Sequence, residues 1–127
     1  MIPNDRVKHV IVLMLENRSF DHILGDLRID DLNGIVKTGP QSNVDLDGNS
    51  YAQQPVALRV LRYDPKHELQ HVIYQLSNNN GGFVEDFHIA YPLSTVADRA
   101  EIMKYHADGT LPALHALETN FAVCDNW

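Results

Sequence analysis

The chain has 127 residues, 44% hydrophobic and 21% charged, an ordinary composition for one soluble domain that can bury roughly two-thirds of its unfolded surface. A formal net charge of −7 without any Lys/Arg run argues against nucleic acid as a partner and against a polybasic membrane anchor. No stretch approaches the ~20 apolar residues of a membrane span, the N-terminus lacks the marks of a secretion signal, and the lone Cys124 can form no internal disulfide, so the chain reads as cytoplasmic.

Residues 10–15 are a nearly unbroken apolar run stopped by Glu16-Asn17, which predicts a strand buried on both faces, as in a parallel sheet covered by helices. Polar groups just past the carboxyl end of such a strand stand where α/β proteins place their sites. A short helix is predicted over 19–24, with Gly25 supplying its C-terminal turn. Asp47-Gly48-Asn49 marks the tip of a hairpin. Residues 56–61 read as a second strand. Asp64 as cap and Pro65 at the first helical position predict a helix running to about Leu76, ended by Asn78-Asn79-Asn80-Gly81-Gly82. Further helices are predicted over 83–90, over 98–106 and from Thr110 through Leu117, with Pro112 in the first turn. Residues 121–124 read as another buried strand. The order is that of an α/β fold in one segment, 1–127, with no separate second domain. Two good core strands leave the sheet incomplete, with an uncovered edge suited to self-association or a partner chain.

Within the predicted fourth element, His67-Glu68-Leu69-Gln70-His71 spells H-E-x-x-H. On a helix, residues four apart share a face, so His67 and His71 could hold Zn²⁺ with Glu68 as general base. Against a zinc protease stand the position of His67 in the first turn and the lack of a short-spaced third ligand. The plain alternative makes Glu68 and His71 the solvated face of an amphipathic helix, with Leu69, Val72, Ile73 and Leu76 toward the core.

The segment HVIVLMLENRSFDHILG, residues 9–25, resembles the N-terminal signature of the bacterial phosphoesterase family that includes nonspecific phospholipases C and an acid phosphatase branch. Asp64-Pro65 with His67-Glu68 resembles its D-P-x-H-E segment, and Gly81-Gly82-Phe83-Val84 its G-G-F-V block. Glu101-Ile102-Met103, Leu111-Pro112 and Phe121-Ala122-Val123-Cys124-Asp125 resemble the stretch leading to its nucleophile. The resemblance implies the N-terminal part of an alkaline-phosphatase-like, doubly wound α/β/α sandwich with a metal-assisted site at strand ends. It implies a phosphate-ester substrate, a divalent metal ion faced by Glu16 and Asn17, and His67 approaching the phosphate as donor or acid. Oxygen ligands and a rigid strand end suit that chemistry. Each residue also has a plain alternative: Glu16 pairing with Arg18, Asn17 capping the next helix. Asp21 and His22 are expected to fix the turn rather than touch substrate. Lys104 and Asn79-Asn80 depart from the family's pattern. The family's Ser or Thr nucleophile would follow beyond Trp127, and Ser19, Ser94 and Thr95 match no nucleophile block. The chain by itself is therefore expected to be inactive, the hydrolase part of a larger protein. The alternative is a non-catalytic remnant binding a metal, a phosphate or a partner.

Overall fold

The computed structural model describes residues 7–13 and 18–125. Helix α1 (Phe20–Leu24) opens under a Ser19 cap, whose hydroxyl accepts the His22 N–H, and ends at Gly25, the end being where it was expected. A one-turn helix α2 (Ile35–Thr38) leads into strand β1 (Ser42–Val44). This pairs antiparallel with β2 (Ser50–Ala52), placing Asn43 opposite Tyr51. The hairpin tip needs Gly48, whose φ of 82° is costly for any residue with a Cβ. Strand β3 (Gln54–Pro55) pairs in parallel with β4 (Lys104–Tyr105).

Helix α3 (Leu69–Gln75) starts four residues after Pro65, because Glu68, in extended backbone at φ −68° and ψ 150°, takes the N-cap position. Its chain reverses through α4 (Ser77–Asn80), where Asn78, Asn79 and Asn80 adopt φ of 52°, 59° and 65°. Asn tolerates that left-handed region better than most residues. Gly82 follows because a side chain there would collide with the Tyr74 carbonyl. Helix α5 (Phe83–Ala90) matches its expected span. Helix α6 (Val96–Glu101) begins with a capping box, Thr95 and Asp98 each receiving the other's backbone N–H. It stops before the expected 106 because the chain turns into β4. Helix α7 (Pro112–Asn120) carries its Pro in the first turn, as the sequence suggests.

The core gathers Tyr51, Val84, Phe87, Ile102 and Met103, with Leu61, Tyr63, Phe83 and Tyr91 against it. Phe87 contacts Tyr91 and Tyr63 at ring separations of 5.1 and 6.4 Å.

Three expected strands are corrected. Residues 10–13 form no strand and are exposed, Ile11 by 93%, since none of the described strands lies beside them; Met14 and Leu15 lie outside the described residues. Residues 56–61 leave the extended region at Val56, φ 74°, and Val56, Leu58 and Val60 face solvent. Residues 121–124 are irregular and Phe121 is exposed. An apolar run becomes a buried strand only where neighbours pair with it and cover it. The described residues build a mixed helix-and-strand fold with small, incomplete sheets; the broad parallel sheet of a doubly wound sandwich is not present among them. No described helix is long and apolar enough to cross a membrane.

Candidate functional site

Helix α1 and the segment 64–68 face each other across a cleft of about 370 Å³, lined by Arg18, Ser19, His22, Lys66 and His67 over a floor that includes Phe83 and Ile102. His67 stands at this cleft and is exposed. Its segment is held from two sides. Tyr91 donates to the Asp64 carbonyl at 2.8 Å, and Gln75 donates to the Lys66 carbonyl at 2.8 Å. The opposite wall is anchored too: the His22 carbonyl accepts the His106 N–H at 2.8 Å, and the Ile23 carbonyl lies 3.1 Å from His115 Nε2. The Arg18 guanidinium reaches the Arg59 carbonyl at 3.4 Å. The Lys66 ammonium lies over the Tyr91 ring, 5.6 Å from its centroid. Two permanent cations, with the exposed His67 imidazole beside them, suit an anion at this cleft.

Glu16 and Asn17, expected to face a metal, lie outside the described residues; Arg18 and Ser19, the next two residues in the chain, line the cleft. The zinc pattern does not assemble as a helical pair. His67 and Glu68 precede the first helical residue, and His71 is bound elsewhere, its Nδ1 2.7 Å from the buried Asp86 carboxylate. Gln75 donates to the other Asp86 oxygen at 2.8 Å. Helix α3 is thus inverted from expectation: its polar His71 and Gln75 turn inward, while Leu69 and Ile73, with Leu76 just past its end, are exposed.

A second polar cluster escaped the sequence reading. Asp45, Asp47 and His88 bring potential metal-ligand atoms within 4.8 Å of one another. The Arg99 guanidinium already occupies that cluster, with Nε 3.1 Å from Asp45, Nη1 2.9 Å from His88 Nε2 and Nη2 3.9 Å from Asp47. Burial raises the Asp45 pKa, but hydrogen bonds from the Tyr51 hydroxyl and the Asn49 side chain outweigh it and hold the carboxyl far below the usual range. With a fixed cation among them, these three residues fit a structural ion-pair network better than a metal site. The D-L-D-G-N run was a legible signal for the turn; Arg99, some fifty residues on, was not.

His22 and His106 stack edge to face at 5.2 Å, both nine-tenths buried. Burial, then the Arg18 charge, push both imidazoles below their ordinary range.

The chain belongs to the Phosphoesterase family, whose model matches residues 7–127. Among curated proteins it is similar to three non-specific phospholipases C of Arabidopsis thaliana. It is 29% identical to phospholipase C4 and 29% to C6, and 26% identical to C3. Each match covers 95% of this chain and 26%, 24% and 26% of those relatives respectively. The chain therefore spans about a quarter of the length of the curated relatives it matches.

Proposed function

We propose that this chain supplies one wall of the active site of a metal-dependent phosphoric-ester hydrolase, phospholipase C or acid phosphatase like, built on an alkaline-phosphatase-like sandwich. The observation that carries the reading is the convergence of Arg18, Lys66 and His67 on one cleft directly after the Glu16-Asn17 pair. Arg18 presents a planar fork of N–H donors to phosphate oxygens, and Lys66 adds a point charge that a short rotation off Tyr91 delivers. His67, at the cleft mouth, donates to a phosphate oxygen or protonates the leaving group. Glu16 and Asn17 offer the hard oxygen donors that Mg²⁺ or Ca²⁺ prefers, and the ion, when bound, neutralises phosphate charge.

Ser19, Ser94 and Thr95 are not nucleophiles in this reading. Ser19 caps α1, Thr95 caps α6, and Ser94 is buried. The chain alone is therefore expected to release no product from p-nitrophenyl phosphate or p-nitrophenyl phosphorylcholine. It is expected to bind Mn²⁺ in a titration followed by water-proton relaxation, with Asn17→Ala weakening binding at least tenfold. Turnover by the chain alone, or Mn²⁺ affinity unchanged in Asn17→Ala, contradicts the assignment.

A non-catalytic binding role is favoured by one observation. Val10, Ile11, Val12 and Leu13 are 79–93% exposed in sequence and expose a contiguous apolar stretch suited to a second chain.

A further inference from the structure

Beside the cationic cleft lies a second one of about 400 Å³, which shares Ser19, His22, Gln75, Phe83 and Ile102 with it. Its own polar lining is dominated by carboxamides: Gln41, Asn43, Gln53 and Asn80. Several of their N–H groups are spent, though among the described residues those of the Asn80 carboxamide are not. Gln41 Nε2 donates to the Thr38 and Gly39 carbonyls, Gln53 Nε2 to Asp21, Asn43 Nδ2 to the Asn80 carbonyl, and Gln75 Nε2 to Lys66 and Asp86. Lys104, the cationic side chain of this lining, is held by Glu101 at 2.7 Å. What remains includes several open acceptors. The carboxamide oxygens of Gln41 and Gln75 have no protein partner among the described residues, and Asp21 contributes a carboxylate. At the boundary stands His22, 8% exposed, whose Nε2 likewise has no partner among the described residues. A buried polar atom without a partner costs free energy that a ligand can recover.

We propose that this second cleft is the subsite for the alcohol portion of the phosphate ester, and that it takes alcohols bearing hydrogen-bond donors, hydroxyl or primary ammonium, with His22 as a positioning residue at the junction. The inference rests on the reading of the Arg18–His67 cleft as the phosphate wall. A cleft with the Asp21 carboxylate and these open acceptors favours a donor-bearing alcohol over phosphate oxygens and so biases which end of the ester goes where. It leaves its acceptors unpaired against a quaternary ammonium, which has no N–H to give. Burial keeps His22 in the neutral form, so its ring adds no competing positive charge for the phosphate to seek.

The test is a set of titrations of the ¹⁵N-labelled chain, followed by backbone, side-chain amide and imidazole resonances. The probes are inorganic phosphate, glycerol 1-phosphate, phosphoethanolamine and phosphocholine. Inorganic phosphate is expected to move Arg18 and His67 alone. Glycerol 1-phosphate or phosphoethanolamine is expected to move His22 Nε2, Gln41 and Gln75 in addition and to bind at least fivefold tighter than phosphocholine. Gln41→Leu is expected to bring glycerol 1-phosphate down to the affinity of inorganic phosphate. Whichever of the two donor-bearing esters binds tighter identifies the source. Equal affinity of all three esters, with no movement at His22 or Gln41, overturns the subsite and leaves the phosphate wall standing. Failure of inorganic phosphate to move Arg18 or His67 overturns the phosphate wall, and the subsite with it.

Discussion

Asp45 is the residue on which the β1–β2 hairpin and α6 depend together. One oxygen receives the Asp47 and Asn49 N–H groups at 2.9 Å, and the other receives the Tyr51 hydroxyl at 2.7 Å and lies 3.1 Å from Arg99 Nε. Arg99 is 7% exposed at its side chain and Asp45 0%. Removing the carboxylate leaves the buried guanidinium with only the exposed Asp47, 3.9 Å away, as counter-charge, a loss of about 3–5 kcal/mol. Asp45→Ala is therefore expected to lower the urea midpoint sharply, measured by tryptophan-independent far-UV circular dichroism. Asn43 works across a similar gap, its Oδ1 accepting the Phe83 N–H at 2.9 Å and its Nδ2 donating to the Asn80 carbonyl at 3.2 Å. It supplies the N-terminal acceptor that Gly82, without a side chain, cannot give α5. Asn43→Ala is expected to cost about 1–3 kcal/mol in the same assay.

The elements divide by what determines them. Helices α1, α5 and α7 were legible because their signals are local: the Gly25 stop, the Gly81-Gly82 break, the Pro112 ring. The strands were not, because the apolar runs at 10–13, 56–61 and 121–124 say only that a partner is wanted; none is a strand among the described residues, and of 56–61 Ala57 alone reaches β4, its N–H donating to the Tyr105 carbonyl at 3.1 Å. Helix α3 was misread for a different reason. Leu69, Val72, Ile73 and Leu76 have the spacing of a core face, but the buried Asp86 of α5 draws His71 and Gln75 inward and leaves Leu69, Ile73 and Leu76 exposed, with Val72 half-buried at the cleft. A charge that needs satisfying overrides apolar periodicity when it lies against the helix. In the candidate site His67 was legible from Asp64-Pro65-x-His67-Glu68, whereas the cleft's shape, Arg18 as its second cation and the orphaned His22 nitrogen depend on tertiary packing. Glu68→Gln is expected to change no peptidase activity, because none is expected in the wild type; Thr95→Ala, which removes the capping box of α6, is expected to cost about 1 kcal/mol of unfolding free energy.

For the molecule as a whole, the two buried imidazoles set an acid limit. His22 and His106 both titrate below the ordinary imidazole value of 6.5 when folded, through burial first and Arg18 second. The native state then binds fewer protons than the unfolded one below that pH. Their contribution to stability is complete above about pH 6.5 and is lost as pH falls through the folded values. Urea midpoints are expected to be level from pH 8 to 7 and to decline below 6.5, with a shallower decline in His106→Gln. The exposed apolar residues of 10–13, 56–60 and Phe121 act on the same scale, and sedimentation velocity is expected to show concentration-dependent association.

The most direct measurement is calorimetric titration of inorganic phosphate into the chain at low ionic strength, repeated with His67→Ala and with Arg18→Ala. If the cleft between α1 and the 64–68 segment is a phosphate wall, the wild type binds one phosphate saturably and each variant binds at least fivefold more weakly. Saturable binding that neither variant weakens, or no binding by the wild type, would contradict it.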